Sequence, residues 1–267
     1  MTAARPSAPA IVASRSKADR DWDAATYDRV SDPQVSWANE VLERLLLQGD
    51  ETVLDAGCGS GRVTRLLLDR LPHGRVIAVD AAPSMVERAR EALPERAEIL
   101  RADLAELKLS EPVDAVFSNA VFHWVGDHDQ LFERLQTALR PGGHLVGQCG
   151  GEGNVERFHA AVRAVGDEAP FSEHLGGWAG PWNFQSADAT TARLERAGFK
   201  EVRCWLEPRP TTPAEPRAYL TTVCLGYHLE QLPAHLRDRY VDAVVERIGD
   251  PLELDYVRLN IDARRPR

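Results

Sequence analysis

The stretch VLDAGCGSG at residues 53–61 decides the fold of this chain. A short apolar run leads into glycines at alternate positions, and a helical segment, RVTRLLLDRL, follows directly. Glycine lets the backbone turn tightly and lets a ligand lie against it. A strand, a glycine-rich turn and a helix in this order are typical of the ligand-binding loop of an open α/β sheet. The next predicted strand, RVIAVD, ends in Asp80, where an acid can accept hydrogen bonds from ribose hydroxyls.

Strands and helices alternate after this loop. The further predicted strands are AEILRAD, VDAVFSNAV, HLVGQCG, EVRCWLEP and LDYVRLNIDARR. The helical segments between them are PSMVERAREAL, DHDQLFERLQTAL and TTARLERAGF, and a break at residues 140–143 is predicted to close the second. This alternation predicts an α/β fold, with a doubly wound, mostly parallel sheet of seven strands and helices on both faces.

The composition argues against several classes of protein. The net charge is −9, and because the first twenty residues carry +3, the rest of the chain is strongly acidic. Neither nucleic acid nor an anionic membrane is therefore expected as a partner. Four scattered cysteines without a CxxC pair argue against a disulfide framework and a zinc site. No apolar run has the length of a membrane span, and the first residues lack a signal-peptide core, so a cytoplasmic location is expected.

The glycine loop distinguishes two classes of cofactor. A nicotinamide dinucleotide fingerprint reads G-x-G-x-x-G and places a pyrophosphate at the helix N-terminus. This chain has G-x-G-x-G preceded by Asp55, which suits a ligand that bears an ammonium group and no phosphate. Together, VLDAGCGSG and IAVDAAPSMVERAR closely resemble the class I S-adenosylmethionine-dependent methyltransferases. The resemblance implies a Rossmann-like methyltransferase fold, with S-adenosylmethionine as cofactor and S-adenosylhomocysteine as product.

The same resemblance implies which residues bind the cofactor. Asp55 and the glycine loop would line the methionine part, and Asp80 would hold the ribose. Ala81 and Met85 would pack on the adenine. In full, the residues expected at the cofactor are Trp22, Tyr27, Asp55, Ala56, Gly57, Gly59, Asp80, Ala81, Met85, Asp103, Leu104, Asn119, Ala120 and Trp124.

Three segments carry a narrower resemblance. DWDAATYDRVSDPQVSWANEVLERL, SNAVFHWVGDHDQLFERLQTALRPGG and QCGGEGNVERF are similar to the trans-aconitate methyltransferase branch. That similarity implies O-methylation of a carboxylate on a small organic polyacid, such as trans-aconitate, by a monomer or weak dimer. The alternatives are a phenol, alcohol, amine or carbon acceptor on a secondary metabolite, a protein or nucleic-acid acceptor, a cofactor-binding module without turnover, and an NAD-type oxidoreductase.

His123 is the candidate catalytic residue, because it follows the fourth predicted strand. A carboxylate acceptor is ionised near neutral pH and needs only orientation, whereas a phenol or alcohol would need a base. The other interpretation is a histidine that packs beside Trp124. The residues expected near the acceptor are Tyr27, His123, Trp178, Trp182, Arg217 and Tyr219.

Arginine suits an acidic acceptor, because the forked guanidinium group matches a carboxylate in two bonds. The candidates are Arg203, Arg209, Arg217 and Arg258, although most arginines of the chain must lie on the surface. The run Asp127–Asp129 could suggest a metal cluster. Acids at the start of a helix favour capping instead, so no metal is expected.

Three regions are predicted along the chain. Residues 1–18 would form a disordered leader, residues 19–49 an N-terminal helical cover, and residues 50–267 the methyltransferase domain. Within that domain, residues 166–186 are a possible lid loop, or a plain loop anchored by its own aromatic residues. Residues 213–248 would form a helical cap inserted before the last strand.

Overall fold

The computed structural model describes residues 32–267, with side chains from residue 37 onward. The predicted leader and the first part of the predicted helical cover, with Trp22 and Tyr27, lie outside the described residues. Helix α1 (Asp32–Arg44) covers most of the periodic segment WANEVLERLLL. Its buried residues Ala38, Val41 and Leu42 pack in one cluster with Leu67 and Val53.

Seven strands form one sheet in the order β3-β2-β1-β4-β5-β7-β6. The strands are β1 (Thr52–Ala56), β2 (Arg75–Asp80), β3 (Ala97–Arg101), β4 (Val113–Asn119), β5 (Leu139–Gly150), β6 (Lys200–Pro208) and β7 (Val257–Arg264). Strands β1 to β5 pair in parallel, and β7 runs antiparallel to both β5 and β6. The sheet confirms the predicted seven-stranded, mostly parallel architecture.

Helices follow most of these strands and cover both faces of the sheet. They are α2 (Arg62–Asp69), α3 (Pro83–Ala92), α4 (His128–Ala138), α5 (Glu156–Gly166), α6 (Ser172–Leu175) and α7 (Ala187–Arg196). Between β6 and β7 the chain forms α8 (Pro216–Tyr219), a π turn (Leu220–Cys224), α9 (Gly226–Gln231) and α10 (Ala234–Ile248). We call residues 213–248 the helical insertion. Within residues 32–267, none of the helices combines the length and apolarity that crossing a bilayer requires.

Side chains on opposite faces of the central strands belong to separate hydrophobic cores. Val53 and Leu54 are neighbours on β1 and both are fully buried, yet they belong to different clusters. Successive side chains of a strand point to opposite faces, so both faces of the sheet are covered. A third cluster lies between the helical insertion and α5, and it includes Tyr219, Tyr240 and Phe158. This third core borders the carboxyl ends of the strands.

The helix before residues 140–143 ends at Ala138, as predicted, but the next strand begins earlier than the predicted HLVGQCG. Strand β5 begins at Leu139, which pairs with Val113, and regular pairing resumes where Ala115 meets His144. The irregularity is a shift in register within the strand. Gly142 adopts a φ of 81°, and its N–H donates to the carbonyls of Arg265 and Pro266. The Pro-Gly-Gly sequence therefore bends the strand instead of ending it.

Candidate active site

The glycine loop is tied to the neighbouring strand. The N–H groups of Gly57 and Cys58 both donate to the carbonyl of Val79, at 2.8 and 2.9 Å. Gly57 has a φ of +92°, and a Cβ there would lie 2.1 Å from a methyl carbon of Val121. Gly59 has a φ of +53°, and a Cβ there would meet no heavy atom within 4 Å. Gly57 is therefore required by packing, whereas Gly59 borders open space.

Asp80 braces this loop from the end of β2. Its two carboxylate oxygens accept the N–H groups of Gly59 and Ala82, each at 2.9 Å. Burial raises the pKa of Asp80, and the two backbone donors oppose that shift. Asp80 lines the cavity described below, so the same carboxylate shapes the loop and faces the ligand space.

Asp55 and Ala56 do not line the cavity, although the sequence predicts both as cofactor contacts. The side chain of Asp55 turns toward the start of α2, where the Thr64 hydroxyl donates to its Oδ2 at 2.6 Å. Burial, with a smaller contribution from Asp80, raises the pKa of Asp55 to about 7. Asp55 therefore connects the end of β1 to α2 and does not face the cavity.

One cavity of about 520 Å³ opens over the carboxyl ends of β1, β2 and β4. The chain order of the strands reverses between β1 and β4, and ligands of open α/β sheets bind at such a point. The residues that the sequence predicts as cofactor contacts and that line this cavity are Gly57, Gly59, Asp80, Ala81, Met85, Asp103, Leu104, Asn119, Ala120 and Trp124. Apart from Trp124, which belongs to the aromatic wall described next, we call their side of the cavity the cofactor half.

Aromatic rings enclose the other side, which we call the acceptor half. Trp124 stacks on Tyr227 with a centroid distance of 5.4 Å, and Trp182 lies nearly parallel to Phe184 at 6.4 Å. All four rings line the cavity. An aromatic enclosure of this kind removes water from polar groups inside it and so strengthens their interactions with a ligand.

His123 lies at the junction of the two halves. Its Nδ1 accepts the N–H of Gly150 at 3.2 Å, and its ring stacks on Phe184 at 5.7 Å. A neutral imidazole that accepts at Nδ1 carries its proton on Nε2. In this state Nε2 is a hydrogen-bond donor and has no lone pair with which to take a proton. The geometry therefore favours an orienting histidine over a basic one.

Two further polar side chains of the acceptor half are those of His159 and Arg258. The His159 ring packs on Trp182 at 4.4 Å, and burial lowers its pKa to about 4. Its Nε2 has no hydrogen-bond partner among the described residues. Arg258 is buried, lies over the ring of Trp37 at 4.8 Å and donates from Nε to Gln148 at 3.3 Å.

Three residues predicted near the acceptor lie off the cavity wall. The exposed guanidinium group of Arg217 binds Asp242 and Asp238, at 3.0 and 3.2 Å. Tyr219 is buried in the third core, where its hydroxyl contacts that of Tyr256 at 2.7 Å. Trp178 packs on His228 and reaches the cavity only through its contact with Trp182. Of the predicted acceptor residues described here, His123 and Trp182 line the cavity.

The sequence does not predict several of the residues that line the cavity. They come from α5 and its approach and from the helical insertion, and they are Asn154, Val155, Phe158, His159, Val223, Cys224 and Tyr227. The segment QCGGEGNVERF contains the first three of these, and its resemblance to a family does not indicate that they line a cavity. Nothing in the local pattern of the insertion signals which of its residues face a ligand.

The acids after β4 cap a helix, as predicted. Asp127 is the N-cap of α4, and its carboxylate accepts the N–H of Gln130 at 2.9 Å. His128 is buried against the carbonyl of Phe122. Over residues 32–267, no group of three or more His, Cys, Asp or Glu side chains is arranged to hold a metal ion.

The charges of the wall fit S-adenosylmethionine. Asp80, Asp103, Glu106 and Asp127 line the cavity, and among the described lining residues Arg258 alone is a lysine or arginine. This acidic wall suits a cofactor with a sulfonium and an ammonium group and opposes a pyrophosphate. The open space beside Gly59 supplies the room that a ligand against the loop requires.

Comparison with known proteins supports the same family. The model of a methyltransferase domain matches residues 54–147. A trans-aconitate 2-methyltransferase of Methylobacterium nodulans is 36% identical over 70% of this chain and 67% of its own length. One of an Acidovorax strain is 30% identical over 86% of this chain and 90% of its own length. Other curated relatives align over 60% of their length.

Solved structures share the fold. Phosphoethanolamine N-methyltransferase 2 of Haemonchus contortus, solved with phosphomonomethylethanolamine and S-adenosylhomocysteine, superposes with a TM-score of 0.61. It is 18% identical, and the match covers 91% of this chain and 57% of that one.

Fold, cavity wall and relatives agree on S-adenosylmethionine as the cofactor. The chain therefore belongs to the S-adenosylmethionine-dependent methyltransferases, in the branch of the trans-aconitate 2-methyltransferases.

Proposed function

We propose that this methyltransferase esterifies one carboxylate of a small organic polyacid, with trans-aconitate as the leading substrate. The curated relatives in this branch carry that activity in their names, and one of them aligns over 86% of this chain. The product would be a methyl ester together with S-adenosylhomocysteine.

The hydrogen bond from Gly150 to Nδ1 of His123 carries this proposal. It leaves the neutral ring with a donor at Nε2, which can orient a carboxylate but cannot deprotonate a hydroxyl group. A carboxylate is already ionised near neutral pH, so its methylation needs no base. His159 does not supply one either, because its lowered pKa makes it a weak base.

The chain contributes mainly position and exclusion of water. When bound, S-adenosylmethionine supplies a sulfonium methyl group, which a carboxylate oxygen takes up while the carbon–sulfur electron pair stays on sulfur. Asp80 and the loop at Gly59 would hold the cofactor, and Asp103 and Met85 would border its adenosine part. His123 would orient the acceptor, and Trp182 and Phe184 would keep water from it. Positioning of this kind accounts for much of the rate enhancement that an enzyme can give to a reaction between two bound molecules.

A label-release assay tests the proposal. The purified protein is incubated with methyl-labelled S-adenosylmethionine and trans-aconitate, and the product is treated with mild base. We expect label to leave as volatile methanol, which is diagnostic of a carboxyl ester. Incorporated label that withstands base would assign an ether, amine or carbon acceptor and overturn the proposal.

A further inference from the structure

Arg258 and His123 flank the same residue. Arg258 lies on β7, where its Cα is paired across the antiparallel ladder with that of Gly150 on β5. Gly150 is also the residue whose N–H binds His123. Directly paired residues of an antiparallel ladder lie about 5 Å apart. The register of the sheet therefore brings a buried cation and the candidate orienting group to one end of β5.

The guanidinium group of Arg258 is held in a fixed place. Trp37 supports one side of it, and Gln148 accepts from its Nε. Gln148 in turn donates to Asn260 at 2.9 Å, and Asn260 donates to Glu207 at 3.1 Å. A planar group anchored in this way presents its N–H donors in a rigid fork, which matches the geometry of a carboxylate.

The positive charge of Arg258 differs from that of the other charged residues in the described cavity wall, which are acidic. The chain has 32 lysines and arginines, yet among the described lining residues only Arg258 is one of them. The acidic side chains of the wall lie in and beside the cofactor half, so an anion is attracted toward the other end. In an enclosed cavity of low polarity this attraction is stronger than it would be at the surface.

A carboxylate bound by such a fork is not the one that reacts. Both of its oxygens are engaged by N–H donors, and the positive charge reduces its nucleophilicity. An acceptor anchored at Arg258 must therefore carry another carboxylate for the methyl transfer.

We propose that Arg258 binds a second carboxylate of the acceptor and so restricts the enzyme to di- and tricarboxylates. The ester forms at a carboxylate that Arg258 does not hold. This inference rests on the proposed function and deepens it, because it names the residue that selects the substrate class.

The test compares two acids and four proteins. The acids are trans-aconitate and crotonate, which has the same propene framework with a single carboxylate. The proteins are the wild type, Arg258→Gln, Arg258→Lys and the control Arg217→Gln, whose arginine is exposed and off the cavity wall. Initial rates of ester formation give kcat and KM for each combination of protein and acid. Calorimetry measures the affinity of each protein for S-adenosylhomocysteine and so verifies that the cofactor half is intact.

We expect Arg258→Gln to lower kcat/KM for trans-aconitate by at least about 30-fold, mainly through KM. Its kcat/KM for crotonate should stay within about threefold of the wild type, so that the preference for the polyacid collapses. Arg258→Lys should show an intermediate loss, because an ammonium group keeps the charge and lacks the fork. Arg217→Gln should behave as the wild type with both acids.

Two results would overturn the inference. One is unchanged kinetics with trans-aconitate in Arg258→Lys and Arg258→Gln, and the other is an equal loss with both acids. If Arg258→Gln does not fold, Arg258→Lys carries the test alone. A wild type that forms no base-labile ester from either acid would refute the proposed function itself, and the role of Arg258 would fall with it. Ester formation that is insensitive to Arg258 would refute the role of Arg258 alone.

Discussion

The backbone N–H of Gly150 donates to Nδ1 of His123 across 3.2 Å, and so the fifth strand determines which nitrogen carries the proton in the neutral ring. A histidine fixed by a backbone donor has one tautomer in its neutral form. The chemistry available to His123 is therefore decided by the strand beside it.

Substitution of His123 separates orientation from base catalysis. Asn at this position keeps an acceptor near Nδ1 for Gly150, whereas Gln places an amide donor near Nε2. We expect His123→Asn to lower kcat/KM by about 10-fold or more at every pH from 6 to 9, and His123→Gln to retain more activity. Initial rates across this pH range provide the measurement. A loss that disappears at high pH would reveal a base and contradict the orienting role.

Gly59 and Gly177 offer a matched pair for testing the cofactor half. Both have positive φ, at +53° and +71°, and a Cβ on either would meet no heavy atom within 4 Å. Only Gly59 lines the cavity. Alanine at either position should destabilise the fold by about 1 kcal/mol through backbone strain. Only Gly59→Ala should weaken the affinity for S-adenosylhomocysteine in calorimetry. Equal affinity in the two variants would remove Gly59 from the site.

Asp80→Ala should affect stability and cofactor affinity together. The substitution leaves the N–H groups of Gly59 and Ala82 without their acceptor, which destabilises a protein by roughly 1–3 kcal/mol per unsatisfied group. Urea unfolding measures the first effect and calorimetry the second. A pure loss of affinity, with unfolding unchanged, would show that Asp80 serves the ligand alone.

Asp55 makes the stability of the fold depend on pH. Its pKa rises from an ordinary 3.8 to about 7 on folding, so the folded state retains a proton that the unfolded state has lost. The contribution of Asp55 is fully present below about pH 4 and is lost as the pH rises to about 7.

Asp55→Asn mimics the protonated form and should be more stable than the wild type at pH 8, by on the order of 4 kcal/mol. The two proteins should differ much less at pH 4. Urea unfolding at both values measures this difference, and the exposed Asp50→Asn serves as control. A gain in stability that is the same at both pH values would assign it to something other than this proton.

Local patterns predict the central part of the fold well. The glycine loop, the strand ending in Asp80 and the cap at Asp127 are each decided by neighbours within a few residues, so a single segment contains the signal. Ten of the predicted cofactor residues line the cavity for the same reason, since they follow the carboxyl ends of parallel strands.

The other features of the site depend on contacts between segments that lie far apart in the sequence. The side chain of Asp55 turns away from the cavity because Thr64, at the start of another element, supplies its hydrogen-bond donor. Arg258 is one of four arginine candidates in the sequence, and its burial in the cavity wall beside Gly150 distinguishes it from the exposed Arg217. Strand register between distant segments leaves no local trace in a single chain.

The helical insertion, α5 with the residues just before it, and the segment with Trp182 and Phe184 supply most of the acceptor half, whereas the edge of the parallel strands supplies most of the cofactor half. On the roles proposed for these residues, recognition of the methyl donor and recognition of the acceptor fall in largely separate stretches of the chain. A descendant of this protein could be retargeted to a new acid by mutations confined to Val223, Tyr227 and their neighbours, with the donor machinery inherited intact. Diversification within such a lineage would then proceed through the helices between the last two strands, while the loop at residues 57–61 stays the same.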